Sequence, residues 1–156
     1  MLTTAKQILG KFGEEIVRKQ CNCPDCEKGK FKLLGNNFKC ADIICEFCGF
    51  LGQVKAKNVK DIEIIPKTIL GAAWKPQEER MKKGFFFSLF LVLVKDFETN
   101  PIKYSAKSIW YLSKDIQKLH KNDIFVVRKP LSKTARRAGW QGFYYNLEQV
   151  KLERLQ

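Results

Sequence analysis

An α/β domain, with helices packed on a mixed sheet, is the fold this sequence predicts, and three observations predict it. The first is an amphipathic helical pattern that opens at Thr4. The second is the run from Phe85 to Val94, aromatic and aliphatic almost throughout, which reads as a central strand covered on both faces. The third is the cysteine-rich stretch between them, where paired cysteines mark tight turns between short strands. With 156 residues the chain can bury a real core. The expected organisation is a single domain over residues 1–156 with a metal-binding insert at about 21–50.

The elements follow in order. Thr4 with Gln7 forms a capping box, and Ala5, Ile8, Leu9, Phe12 and Ile16 keep helical spacing up to about Lys19. Residues 21–60 read as short strands around two Cys-x-x-Cys turns. Ile62 to Ile65 reads as a strand end, stopped by Pro66. Pro76 suits the first turn of a helix that runs to about Lys83. After the Phe85 to Val94 strand, Ile109 to Leu112 and Ile124 to Val127 are further strands, with a short helix from Ser113 to His120 between them. A basic loop spans Arg128 to Gly142, Phe143 to Tyr145 pairs beside it, and a final short helix holds Leu147, Val150 and Leu155. His120 sits at a helix end and is assigned no chemistry.

The formal charge of +13, from 29 Lys and Arg against 16 Asp and Glu, suits a polyanionic partner such as nucleic acid. An acidic membrane surface is the competing partner, and bulk charge does not separate the two. Lys6, Lys11, Glu14 and Glu15 interrupt every apolar run near the start, so no secretory signal is expected. The longest apolar stretch is about half of what a bilayer span needs. The expectation is a cytoplasmic protein with no membrane association. All six cysteines fall between Cys21 and Cys48, which in a reducing compartment argues for metal rather than disulfides.

Cys23-Pro24-Asp25-Cys26 and Cys45-Glu46-Phe47-Cys48-Gly49 are separated by 18 residues, the spacing of a zinc ribbon. Four thiolates make a closed tetrahedral site, which is structural because no position remains for water. The competing readings are buried thiols or a redox Cys-x-x-Cys, and a second pair at ribbon spacing disfavours both. Cys21 and Cys40 are spare: Cys40 is expected to pack in a strand as a small hydrophobe, and either can stand as a substitute ligand.

Asp42, Gln53 and Lys55 bracket the second cysteine pair. If Cys45 to Cys48 is a hairpin turn, Asp42 on one strand faces Gln53 and Lys55, which point the same way on the other. Phosphodiester cleavage needs a hard cation, Mg²⁺ or Mn²⁺, held by oxygen ligands. Asp42 offers a carboxylate and Gln53 a neutral carbonyl oxygen, while Lys55 can orient or deprotonate water. By spacing alone the bland reading, a solvated strand face of Gln53, Lys55 and Lys57, is the better one. In the basic loop, Arg128, Lys129, Lys133, Arg136 and Arg137 can hold phosphates or read bases, and Trp140 can stack or wedge. A solvated loop anchored by its tryptophan fits the same composition.

Three segments together carry a family resemblance. They are Cys23-Pro-Asp-Cys26, the string CADIICEFCGFLGQVKAK from Cys40 to Lys57, and RKPLSKTARRAGWQG from Arg128 to Gly142. With weaker similarity in the first helix and around Phe85 to Phe87, the chain resembles the catalytic domain of the DpnI-type methyladenine-dependent restriction endonucleases, a PD-(D/E)XK family. The resemblance implies a PD-(D/E)XK restriction-endonuclease-like mixed sheet flanked by helices, with an inserted four-cysteine zinc site at Cys23, Cys26, Cys45 and Cys48. It places the metal-binding aspartate at Asp42 and the lysine at Lys55, and it implies Mg²⁺-dependent double-strand cleavage of DNA carrying N6-methyladenine.

Two departures qualify that inheritance. Gln53 stands where the family has Glu, and no C-terminal winged-helix reader like the family's is expected within residues 1–156. A homodimer or a separate specificity chain is the corresponding expectation for partners besides double-stranded DNA. The helix carboxylate that assists metal binding in some of these enzymes is Glu14 by the family match and Glu15 by the helical wheel, and both stay open. Two other readings remain: an inactive DNA-binding module of the same fold, and a zinc-ribbon domain that docks an acidic protein.

Overall fold

The computed structural model describes residues 3–156. In chain order the elements are α1 (Ala5–Gln20), β1 (Phe31–Leu33), β2 (Ile43–Cys45), β3 (Leu51–Asn58), β4 (Thr68–Ala73), α2 (Trp74–Lys82) and β5 (Ser88–Lys95). They continue with β6 (Glu98–Thr99), β7 (Ile102–Lys103), β8 (Ala106–Leu112), α3 (Lys114–Leu119), α4 (Lys121–Ile124), β9 (Phe125–Val127), β10 (Gly142–Asn146) and β11 (Glu153–Arg154). The chain divides into two compact units. The first holds the described residues up to Ile64 with Phe87–Leu112 and Leu152–Gln156; the second holds Ile65–Phe86 and Ser113–Lys151.

The first unit is built on a six-stranded sheet in the order β1-β2-β3-β5-β8-β11. Its centre is the parallel pair β3 and β5, with β8 antiparallel to β5, so the sheet is mixed. Every residue from Ser88 to Val94 is fully buried, which requires cover on both faces and explains the unbroken apolar run. Phe85 and Phe86 precede the strand rather than join it. Gly84, at a φ of +87°, ends α2, and the Phe85 amide donates back to Arg80.

Helix α1 begins with the expected capping box, Thr4 and Gln7 exchanging hydrogen bonds with each other's backbone. Its buried Ile16 and Val17, with Leu9 and Phe12, pack into a core with Val54, Phe90, Val92 and Val94. Gly13 sets how closely the helix approaches: a β-carbon there would stand 2.8 Å from Ala56 Cβ. Gly10, one turn earlier, would place a β-carbon in open space.

Two sequence expectations fail in this unit, each for a local reason. Ile62 to Ile65 is not a strand. Asp61 accepts from the Glu63 amide through its side chain and from the Ile64 amide through its carbonyl, turning the chain instead. The C-terminal segment is not a helix either. Leu155 donates to Ile109, which in turn donates to Gln156, so the tail adds β11 to the edge of β8. Leu155 packs against the core of this unit and Leu147 is buried in the other, so the two do not share one helix face.

The second unit holds a three-stranded sheet, β4-β10-β9, with α2, α3 and α4. Trp74, Phe86, Phe125, Phe143 and Tyr145 form its aromatic core, with ring centroids 5.2 to 6.3 Å apart. Strand β4 was not legible, because Gly71 and the alanines after it break a strand pattern. Here the glycine has a packing purpose: the Phe143 ring lies where its β-carbon would be. Helix α3 starts at the Ser113 cap, which accepts from the Ile116 amide, and His120 closes it.

The two glycines of α1 give opposite expectations. Gly13→Ala should destabilise the protein by about 1–3 kcal/mol, because its neighbour is a packed strand. Gly10→Ala should stabilise it by up to about 1 kcal/mol through helix propensity alone. Urea unfolding of the two variants beside the parent protein checks both signs.

Candidate functional site

The strands β2 and β3 are antiparallel, pairing Ile43 with Gly52 and Ile44 with Leu51, and their connection is the Cys45 to Cys48 turn. Within it the Gly49 amide donates to the Cys45 carbonyl, and the Cys45 amide to the Phe50 carbonyl. Gly49 takes a φ of +80°, which accounts for glycine after the second cysteine. The Cys23 to Cys26 turn folds back on this hairpin, and the sulfurs of Cys23, Cys26, Cys45 and Cys48 all lie within 4.8 Å of one another.

The distances fit a metal. Cys23 and Cys48 sulfurs are 3.6 Å apart and Cys26 and Cys45 sulfurs 3.7 Å apart. Zinc–sulfur bonds of about 2.3 Å place tetrahedral thiolates about 3.8 Å from one another. The Gly29 amide donates to the Cys26 sulfur at 3.3 Å. A β-carbon on Gly29 would collide with the Cys45 sulfur, so the knuckle closes only over glycine. Burial pushes the Cys23 thiol up to about 12. Burial also acts on Cys26, but the amides of Lys28 and Gly29 and the neighbouring sulfurs outweigh it and bring that thiol down to about 7.

The spare cysteines lie outside this cluster. Cys21 is buried, and burial raises its thiol to about 11. Cys40 does not pack in a strand as the sequence suggested. It occupies a bend just before β2 with a φ of +69°.

Beside the knuckle the hairpin opens. Asp42 is held three ways: its amide donates to Gly52 at 2.8 Å, its carbonyl accepts from Leu34 at 2.8 Å, and its carboxylate accepts from the Val54 amide at 2.7 Å. The paired register stops at Ile43 and Gly52, and Asp42 bonds Gly52 and Val54, the residues on either side of Gln53. Gln53 is only 4% exposed, and Lys55, two residues along the same strand face, is half-buried.

The charges here act on one another. Burial raises the Asp42 carboxyl, while the Val54 amide and Lys55 draw it back. Burial lowers the Lys55 ammonium, against the pull of Asp42 and Glu14. Glu14 on α1 is raised by burial and then by Asp42, with Lys11 and Lys55 opposing. Of the two helix carboxylates, Glu14 is the one on which Asp42 and Lys55 act. Glu15 is engaged elsewhere, with Arg18 at 2.8 Å and Lys19 at 3.9 Å. The signal available in the sequence was Gly13, which brings α1 down on β3 right beside Glu14.

In the second unit, Arg128 to Gln141 links β9 to β10 as an irregular extension of their hairpin. Arg128 donates to Gly142, Leu131 to Trp140 and Gly139 to Leu131 through the backbone. Arg128, Lys129, Lys133, Arg136 and Arg137 are all exposed. Trp140 is half-buried, its ring packed where a Gly142 β-carbon would stand and the Arg137 guanidinium 4.4 Å from its centroid. The tryptophan thus packs at the end of its own loop while the loop's cations face solvent.

A mixed α/β protein with four cysteines placed for a metal ion, and with a cluster of two carboxylates and a lysine beside them, is the class that fold and site define. The chain belongs to the DpnI family, described as the Dam-replacing family, whose model matches residues 2–153. Membership is consistent with a methyl-dependent, restriction-like function and with DNA as the partner. Among the described residues no helix is long and apolar enough to cross a membrane.

Titration of the reduced protein with zinc should saturate at one ion per chain, with affinity that falls on acidification because the thiols must ionise. Gly29→Ala should lose most of that affinity while all four ligands remain. Competition with a chromophoric chelator measures both.

Proposed function

We propose that this protein is a metal-dependent DNA endonuclease with a PD-(D/E)XK-like site on its first unit, acting on DNA that carries N6-methyladenine. The observation that carries this reading is the mutual electrostatic influence of Glu14, Asp42 and Lys55 beside buried Gln53. Two raised carboxylates and an amide oxygen form an all-oxygen donor set, which fits Mg²⁺ or Mn²⁺. The knuckle takes zinc and stays structural, since four thiolates leave it no open position.

In this mechanism Asp42, Glu14 and the Gln53 carbonyl oxygen are the groups that would hold the cation. Glu14 restores the negative charge that Gln53 lacks. A bound divalent cation supplies charge neutralisation at the scissile phosphate and acidifies water. Burial disfavours the ammonium form of Lys55. As the neutral amine it would orient the attacking water and take its proton on Nζ while the new phosphorus–oxygen bond forms and the bond to the leaving oxygen breaks. The Asp42 carboxylate stays fixed by the Val54 amide, so one oxygen keeps its direction as the substrate arrives.

Charge supports DNA as the substrate. The second unit carries 14 Lys and Arg against 5 Asp and Glu, so it holds most of the excess of the whole chain. From Ile124 to Leu147 there is no acidic residue. Exposed Arg128, Lys129, Lys133, Arg136 and Arg137 then contact phosphates, with Arg137 and Trp140 presented as a stacked pair. Cutting both strands with one such site requires two copies of the chain or two successive nicks.

Adenine-methylated plasmid should be cut in Mg²⁺ or Mn²⁺, and its unmethylated counterpart spared. Lys55→Ala should slow cleavage at least about 100-fold. Metal binding, and cutting with it, should weaken on acidification, as protons compete with the cation for Asp42 and Glu14, whose carboxyls burial raises in the metal-free protein. Unchanged cutting by Lys55→Ala contradicts the assignment.

The same shift predicts a trade between stability and metal binding. The Glu14 carboxyl ionises more readily unfolded than folded, so its ionisation weakens the metal-free fold as pH rises through the unfolded and then the folded pKa. Glu14→Gln should therefore raise the melting temperature of the metal-free protein near neutral pH. It should also shrink the further increase that Mg²⁺ produces, and differential scanning calorimetry reads both changes.

A further inference from the structure

Beside the charge cluster, a cleft of about 340 Å³ runs along α1, lined by Thr3, Gln7, Gly10, Lys11, Glu14 and, from the loop before β2, Asn36. Thr3, Gln7, Gly10 and Glu14 recur at intervals of three or four, so they make one continuous face of the helix and the residue before its cap. At about 1.5 Å per residue, Thr3 to Glu14 spans about 16 Å. That is the axial length of about five nucleotides of one DNA strand.

Glu14 belongs both to this cleft and to the cluster with Asp42 and Lys55. The cleft and the cluster therefore meet at Glu14, and a ligand lying along the helix face ends against that carboxylate. Its lining is polar and uncharged apart from Lys11 and Glu14, and the Lys11 ammonium is near enough to act on the Glu14 carboxyl. A hydroxyl, two amides and one ammonium are the groups that hold a sugar-phosphate backbone without reading its bases.

Gly10 is the second observation. Helix propensity disfavours glycine in the interior of α1, and no neighbour within 4 Å would meet a β-carbon there. Gly13 is explained by Ala56, whereas nothing in the protein explains Gly10. The space it leaves is the floor of the cleft, where a ligand can approach the helix backbone.

We infer that this cleft is the track of the DNA strand flanking the scissile phosphate, with Lys11 as a phosphate contact and Gly10 as the clearance for the backbone. The inference rests on the nuclease reading above for the identity of the strand's end point. It does not depend on turnover for its test.

The test is binding of a fluorescent adenine-methylated duplex in Ca²⁺, followed by anisotropy across a series of KCl concentrations. Lys11→Ala should weaken binding and reduce the slope of log affinity against log salt by about 0.9, the contribution of one phosphate contact. Gly10→Leu should weaken binding at least tenfold without lowering the melting temperature. Gly10→Ala serves as the control that the helix tolerates substitution. Parental affinity and slope in both Lys11→Ala and Gly10→Leu overturn the inference and leave the nuclease reading standing. If the parent binds duplex but never cuts it in Mg²⁺ or Mn²⁺, the nuclease reading fails while the same two variants still decide the cleft. No binding by the parent overturns both.

Discussion

The short β2–β3 hairpin is the constraint on which the first unit's chemistry depends. Only two residue pairs, Ile43 with Gly52 and Ile44 with Leu51, join these strands before they part. A ladder that short is marginal by itself. The cysteine knuckle closes its turn, with sulfurs spaced 3.6 and 3.7 Å as a tetrahedral metal requires. Where the strands part, Asp42 turns its carboxylate to the Val54 amide, and Gln53 and Lys55 follow on the same strand. The knuckle and the carboxylate cluster are thus two ends of one hairpin.

Helix α1 completes the arrangement from the other side. Gly13 removes the β-carbon that would hold the helix away from Ala56, and the next residue, Glu14, joins Asp42 and Lys55. The result is a set of partly buried charges that raise or lower one another's protonation. Such a set costs folding stability unless a cation joins it, since two carboxylates face one lysine under partial desolvation. A site that is unfavourable when empty and favourable when filled is what metal-dependent chemistry needs. The neutral Gln53 adds no charge to this set, and on the proposed reading Glu14 would supply the carboxylate that Gln53 does not.

Much of this was legible in the sequence because it rests on local signals. The Thr4 and Gln7 capping box, the paired cysteines at ribbon spacing and the apolar run of β5 each fix an element within a few residues. The elements that escaped depend on partners distant in the chain. Strand β4 exists because Phe143 needs the space at Gly71, and β11 because the open edge of β8 accepts the tail. Neither dependence leaves a periodic trace. The candidate site divides the same way: Asp42, Gln53 and Lys55 are close in sequence and share a hairpin, whereas the choice of Glu14 over Glu15 required knowing how α1 sits on β3. The composition of the basic loop leaves Trp140 open between wedge and anchor, and the ring lies half-buried over Gly142 with Arg137 against it.

The coupling of the two ends of the hairpin is the central claim, and Mn²⁺ binding measured by electron paramagnetic resonance tests it most directly. The comparison is between protein loaded with one zinc and the same protein stripped of it by chelation. Tight Mn²⁺ binding to the zinc-loaded protein, weakened at least tenfold on stripping while circular dichroism retains the α1 signal, is the predicted result. Equal Mn²⁺ affinity in both forms would contradict the account, since the carboxylate cluster would then stand without the knuckle.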